Sequence, residues 1–202
     1  MVLRSLLDNM GKMNRSNLSF QIKTALLQKG ASLVEMANLV KIPSDVRYSK
    51  RFAVSIAVAL NASIIKKIHA GPNQEYYSEY KKVNALLSDL SKYGAKLIQD
   101  FGYQAIPTEP TDVGINPKNL STPLPHKTVA TKAGLGWIGK CALLVTEEYG
   151  SAVRLTSILT DAELEAATPT SRSRCEDCMI CINMCPGDAP SGKDWNPNQK
   201  RD

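Results

Sequence analysis

The chain has 202 residues, 43% of them hydrophobic, and 25 basic against 19 acidic side chains give it a formal charge of +6. This length suits one main domain with a small appendage, and the apolar share is enough for a sizeable core. The longest apolar run, Phe52 to Ile65, is broken by Ser55, Asn61 and Ser63 and is too short to cross a bilayer. Met1 to Lys12 carries Asp8 and shows neither a signal-peptide apolar region nor a cleavage site, which points away from export and towards a reducing cytoplasm. The basic excess is modest: it permits an anionic partner such as tRNA without requiring one.

Leu18, Ile22, Ala25 and Leu26 recur at helical spacing and predict a first helix from Ser16 to Gly30. Ser32 to Val40 reads as a strand or a strand plus turn, and Ile42-Pro43-Ser44-Asp45 as a turn. Arg51 to Leu60 has the length and β-branched content of a buried strand. Asn61 and Ser63 are placed to cap a short helix through His69, which Gly71-Pro72 then ends. A long helix is expected over Gln74 to Phe101, with an apolar stripe that includes Val83, Leu87, Leu90 and Ile98. Tyr76, Tyr77 and Tyr80 open that helix; a tyrosine there can donate a proton, stack on a ring or simply pack, and Tyr77 is taken as a candidate donor.

Tyr103 to Pro107 reads as a short strand. Thr108 to Pro125 holds Pro110, Pro117, Pro123 and Pro125 without periodicity, the mark of a functional or disordered loop. His126 to Ala133 reads as a short helix after Pro125. Cys141 to Thr146 and Ala152 to Thr160 read as two apolar strands joined by a turn, with Cys141 expected to be a buried structural cysteine. Thr168 to Arg174 is a polar connector. The expected organisation is an α/β domain over 1–167 followed by a short segment over 168–202.

Two motifs carry chemistry. Cys175, Cys178, Cys181 and Cys185 stand at C-x2-C-x2-C-x3-C spacing with Pro186 directly after, the ferredoxin run that holds a [4Fe–4S] cluster. A zinc ribbon needs a second, distant cysteine pair, and disulfides suit a secreted chain; neither context is present. Gly134, Gly136 and Gly139 make a G-x-G-x-x-G pattern between a helix and a strand, the wrong order for a dinucleotide site. These glycines let backbone approach either a ligand or a packed neighbour, with Trp137 as a core anchor or the lid of a flat cofactor. Gly134, Gly136, Trp137, Gly139 and Lys140 form the candidate cofactor edge.

The stretch AGLGWIGKCALLVTEEYGSAVRLTSILTD from Ala133, followed by CEDCMICINMCP from Cys175, resembles epoxyqueuosine reductase and, more distantly, the iron–sulfur half of cobalamin-dependent reductive dehalogenases. The likeness is dense over 126–190 and looser over 45–106. It implies a nitroreductase-like mixed sheet with flanking helices, able to bind cobalamin, and a ferredoxin-like C-terminal segment. It also implies electron flow from an external flavodoxin or ferredoxin through clusters to cobalt, and reduction of an epoxide on the wobble base of tRNA to an alkene.

This chain departs from that pattern in two places. The reductases carry an acidic proton donor in an Asp-Thr-Ala-Pro segment, whereas here Leu120 to Lys127 reads LSTPLPHK and no Asp or Glu lies between Asp112 and the glycine loop. His126 is the candidate substitute, since imidazole titrates near neutral pH, with a backbone-bonding histidine as the alternative. Second, two-cluster ferredoxins need a further run of cysteines, and Gly187 to Asp202 has none. Either Cys185 completes one cluster locally, or Cys141 does, or the sequence is a shortened form of a longer protein, the expectation favoured here. The competing functions are an electron-transfer module without cobalamin and a cluster-based redox sensor.

Overall fold

Phe52–Ala59 forms a strand in which every residue but the last is buried. Such a strand must be covered on both faces, and the chain supplies a layer for each. The computed structural model describes residues 15–111, 118 and 121–197. In chain order these form α1 (Arg15–Gln28), β1 (Leu33–Asn38), β2 (Phe52–Ala59), α2 (Ala62–Ile65), α3 (Gln74–Asp100), β3 (Ala105–Pro107), α4 (His126–Lys132), β4 (Trp137–Ile138), β5 (Leu144–Val145), β6 (Val153–Thr160) and α5 (Ile180–Asn183). The main sheet runs β1-β2-β6-β3 with every neighbouring pair antiparallel, and β4 and β5 make a separate hairpin.

Alternation along the strands sends side chains to two cores. In the first, Val54 and Ile56 of β2, Met36 of β1 and Ile158 of β6 join Ile22 and Leu26 of α1 and Leu87 and Ile98 of α3. On the other face Ala53 and Leu159 meet Val129 and Ala130 of α4, with Ile138 and Leu144 of the hairpin. Each fully buried leucine or isoleucine contributes about 1.5–3 kcal/mol through area removed from water. Small residues on β2 let α4 sit close, which brings the start of α4 and the hairpin over the sheet.

The long helix α3 follows the sequence pattern. Asn73 caps it, its side chain accepting from the Tyr76 N–H at 2.9 Å. Gly94 lies where the helix meets β6: a Cβ there would stand 2.6 Å from Ile158 Cδ1. The short helix expected through His69 ends instead at Ile65, although Asn61 caps it as anticipated. The strand expected from Cys141 is reduced to Leu144–Val145, and Cys141 sits half-buried in the β4–β5 turn. Next to it, Ala142 has φ +64 and Lys140 to Leu143 turn the chain, so a continuous strand cannot start there. Part of the proline-bearing loop, residues 112–117 and 119–120, lies outside the described residues.

Beyond β6 the connector folds back over the domain. The Glu165 N–H donates to Ser19 Oγ at 2.8 Å, the Ala167 N–H to the Met36 carbonyl at 3.0 Å, and the Thr170 N–H to the Thr131 carbonyl at 2.9 Å. This path delivers the cysteine segment to the β4–β5 hairpin. The segment is built of turns and the single helical turn α5.

Candidate functional site

The hairpin and the cysteine segment are joined by Lys140. Its side chain is buried, and the ammonium donates to the Glu176 carbonyl at 2.6 Å and approaches Met179 Sδ at 3.9 Å. Between the first two cysteines the chain makes a tight turn, with the Cys178 N–H donating to the Cys175 carbonyl at 2.8 Å. Arg174, just before the turn, stacks over the Trp137 ring at 5.6 Å and pairs with Glu147.

Cys175 is the electrostatic centre of this contact. Burial pushes its thiol up, but the Ser173 hydroxyl, the Lys140 backbone N–H and the Trp137 indole N–H together hold it below the ordinary thiol value, against the nearby Asp194 carboxylate. The Trp137 indole nitrogen is buried and makes no hydrogen bond of good geometry; its approach to the Cys175 sulfur adds to the Ser173 and Lys140 contacts that favour the thiolate. Cys181 is displaced the other way, first by burial and then by the charges of Cys141, Cys175 and Cys178. Cys185 accepts from the Ala189 N–H at 3.4 Å in its own turn.

Among the described residues, no three His, Cys, Asp or Glu side chains gather closely enough to hold a metal ion as they stand. The donor chemistry nevertheless fits an iron–sulfur cluster. The chain offers soft thiolate ligands, N–H and O–H donors aimed at one sulfur, and a buried indole N–H with no conventional acceptor.

The glycines are used against the chain itself. A Cβ on Gly134, which has φ +70, would lie 2.6 Å from the Thr168 carbonyl oxygen; one on Gly136 would land on the Val145 carbonyl oxygen; one on Gly139 would lie 2.8 Å from Val145 Cγ2 and 3.0 Å from Cys141 Sγ. They permit close packing of the hairpin and its connector. Gly134 and Gly136, with Trp137, also line a cleft of about 400 Å³ shared with Leu33 and Glu35 of β1. That volume suits a ligand of drug size.

The two proton-donor candidates stand in unlike surroundings. His126 begins α4; its Nε2 lies 2.9 Å from the Glu109 carbonyl and its Nδ1 3.0 Å from Ser157 Oγ. A carbonyl accepts only, so Nε2 carries the proton and Nδ1 takes the Ser157 hydroxyl hydrogen. Burial lowers the pKa of this imidazole, the Glu109 carbonyl opposes that, and the Arg154 charge adds to it. Tyr77 is 52% exposed, with the Lys81 ammonium 4.5 Å from its ring centre. Tyr76 packs on the core, and Tyr80 lies under Arg154.

The geometry therefore joins Trp137 and Lys140 to the cysteine turn and adds Ser173 and Arg174, which the motifs alone do not single out as partners, while Gly139 packs within the hairpin. Ser173 stands two residues before Cys175, a spacing at which a hydroxyl can reach the cysteine backbone, and the Cys175 N–H does donate to it at 3.2 Å.

No family model matches the chain. Epoxyqueuosine reductase of Aliivibrio fischeri is 37% identical over 118 residues, covering 58% of this chain and 30% of that protein. The Vibrio cholerae enzyme is 36% identical over 122 residues with the same coverage, and that of Gloeobacter violaceus 50% identical over 64 residues, covering 32% and 20%. The chain thus spans less than a third of the length of these curated relatives. Among solved structures, a catabolic reductive dehalogenase in complex with 3-bromo-4-hydroxybenzoic acid superposes with a TM-score of 0.73 at 16% identity, over 89% of this chain and 26% of that one. Epoxyqueuosine reductase from Streptococcus thermophilus superposes with a TM-score of 0.60 at 21% identity, over 90% and 55%. An epoxyqueuosine reductase with an epoxyqueuosine-modified tRNA stem loop gives 0.60 at 17%, over 92% and 55%. The chain resembles epoxyqueuosine reductases in sequence, and it shares the mixed α/β fold of these reductases and dehalogenases.

Proposed function

We propose that the chain is part of an iron–sulfur oxidoreductase of the epoxyqueuosine reductase type, working in queuosine biosynthesis with epoxyqueuosine in tRNA as substrate. The observation that carries this reading is the convergence of Trp137 and Lys140 on Cys175 and Glu176. The same stretches carry the sequence likeness, and the curated relatives bear that activity in their names.

When bound at Cys175, Cys178 and Cys181, a [4Fe–4S] cluster supplies electrons one at a time. Reduction of the epoxide to an alkene consumes two electrons and two protons and releases water. An external flavodoxin or ferredoxin is the electron source in this reading. Lys140, Trp137 and Ser173 hold the cysteine turn and favour thiolate at Cys175. The cleft edge from Gly134 to Trp137 is the candidate wall for a flat cofactor, cobalamin in the resemblance, with Gly139 and Lys140 beyond that edge. His126 can deliver a proton only by giving up its bond to the Glu109 carbonyl, whereas the Tyr77 hydroxyl is open to solvent. The assignment of either as donor, the division into 1–167 and 168–202, and a cytoplasmic location belong to this proposal. Among the described residues no helix is long and apolar enough to cross a membrane.

The test is anaerobic reconstitution with iron, sulfide and cobalamin, followed by incubation with a reductant and epoxyqueuosine-containing tRNA and mass analysis of the released nucleosides. Queuosine is the expected product. A brown, iron-loaded protein that takes up no corrin and forms no queuosine would identify an electron-transfer or redox-sensing protein instead, the reading favoured by the engagement of both His126 nitrogens.

A further inference from the structure

The cleft beside Trp137 is backed by the edge strand β1, whose one side pairs with β2 while the other side meets no strand of the sheet. The Leu39 N–H donates to the Arg51 carbonyl at 2.8 Å, and the Ala167 N–H reaches the Met36 carbonyl from outside at 3.0 Å. Alternation along the antiparallel pair then turns the backbone of Leu33, Glu35 and Ala37 towards β2, and the N–H and C=O of Val34 outward, as at Met36. Val34 is 2% exposed and lines the cleft; its side chain lies in the first core, so its backbone is what it presents there. Among the described residues nothing bonds to that N–H or that carbonyl. A shielded backbone group without a partner costs about 1–3 kcal/mol. The neighbouring positions on the edge are committed. The Ser32 N–H donates to the Ala57 carbonyl at 2.8 Å and its hydroxyl accepts from the Ala59 N–H at 2.8 Å, while the Met36 carbonyl is taken by Ala167. An added peptide strand needs a ladder of alternate residues, which this edge does not offer. One adjacent donor and acceptor suits the rim of a single planar ring.

We propose that this cleft binds an uncharged nucleobase-type ring through the backbone of Val34. A ring nitrogen accepts from the Val34 N–H, and the amino group next to it donates to the Val34 carbonyl. Leu27, Leu33 and Trp137 supply apolar contact, and Gly134 and Gly136 bring no side chain into the space. The lining charges select against an anion: Lys23 pairs with Glu35 and Arg174 with Glu147, which leaves the Glu148 carboxylate in excess among the described lining residues. About 400 Å³ is room for a nucleoside. This rests on the reading of the cleft as the wall for a flat group, and on neither the cluster nor the reduction of tRNA.

The experiment is equilibrium dialysis of the full chain against adenosine, N6,N6-dimethyladenosine, adenosine monophosphate and hydroxocobalamin, with the Val34 amide followed by nuclear magnetic resonance. Adenosine is expected to bind with a Kd of about 1 mM or tighter and to shift the Val34 amide signal. The dimethyl compound, which cannot donate to the carbonyl, is expected to bind about tenfold more weakly or worse. The monophosphate is expected to bind more weakly than adenosine, because it brings negative charge beside Glu147 and Glu148. Val34→Pro removes the N–H at an edge position where proline is tolerated, and is expected to lose about tenfold in adenosine affinity. Val34→Ala keeps both backbone groups and loses only core packing; it is expected to bind as the parent does, and circular dichroism checks that both variants fold. No binding of adenosine, equal binding of the dimethyl compound, an unmoved Val34 amide, or parental affinity in Val34→Pro each overturns the proposal. Hydroxocobalamin binding where adenosine does not would make the corrin the occupant and overturn it as well. Iron uptake and queuosine formation are separate measurements, so failure here leaves the cluster reading standing, and failure there leaves the Val34 site standing.

Discussion

The Lys140 ammonium stands 2.6 Å from the carbonyl oxygen of Glu176, a residue held at φ +45 inside the turn between two cysteines. A left-handed conformation at a non-glycine residue costs about 1–2 kcal/mol. A hydrogen bond from a charged donor contributes about 1.5–3 kcal/mol. The bond is large enough to offset the strain and holds the turn in a shape it would otherwise leave. Lys140→Met keeps most of the apolar stem and removes the charge and the donor. Amide exchange over 175–181 is expected to rise in the apo variant, and reconstituted iron to be lost faster on dilution. Unchanged exchange in that segment would remove Lys140 from its bracing role.

Gly136 and Gly94 offer a contrast in what an added methyl meets. At Gly136 the obstacle is the Val145 backbone carbonyl, which cannot move without opening the hairpin; at Gly94 it is the end of the Ile158 side chain. Overpacking costs about 1–3 kcal/mol, and alanine in a helix interior returns about 1 kcal/mol over glycine. Gly136→Ala is expected near the upper end of that range, with iron uptake impaired, and Gly94→Ala to lose about 1 kcal/mol or less. Urea unfolding of the two variants measures the order.

His126 makes stability depend on pH. Burial holds its folded pKa below the ordinary value near 6.5. Above that value both folded and unfolded chains are neutral there, and the full contribution is present. As pH falls below it the unfolded chain takes up the proton first, so stability falls until the folded pKa is passed. His126→Gln is expected to flatten this part of the profile between about pH 7 and 5, with a loss of about 1–3 kcal/mol at neutral pH from the broken Glu109 and Ser157 bonds. Denaturant titrations across that range report both quantities.

Trp137→Phe preserves a ring for Arg174 and removes only the N–H near Cys175. Because that N–H favours the thiolate, its loss raises the thiol pKa. The pH midpoint for alkylation of Cys175 in the apo protein, followed by peptide mass analysis, is expected to move upward. A midpoint that stays in place would show that Ser173 and the Lys140 N–H suffice.

Local signals in the sequence are realised where one element decides its own shape. The Asn73 cap and apolar stripe define α3 to within a residue, and the residues of Phe52–Ala59 define a two-sided strand. The sequence does not reveal that β2 and β6 are neighbours, a pairing that joins residues about a hundred positions apart, such as Ser55 with Ser157. The glycine pattern shows that something must come close; only the fold identifies it as Val145, Thr168 and Cys141. Cys141 reads as a core residue from its apolar neighbours, but it falls half-buried in the β4–β5 turn, beside a Lys140 whose bond reaches a segment 36 residues away.

The path of the connector between β6 and the cysteines has a consequence for self-association. β1 is an edge strand of the main sheet, and an open edge is a template for pairing with another chain. The Ala167 N–H occupies the outward Met36 carbonyl, and the chain on either side is pinned to Ser19 and Thr131. The segment that carries the cysteines to the hairpin therefore also obstructs growth of the sheet at its β1 edge. Proteolytic cutting within 168–174, which would free this strap, is expected to release the cysteine segment and to leave a domain prone to edge-to-edge aggregation.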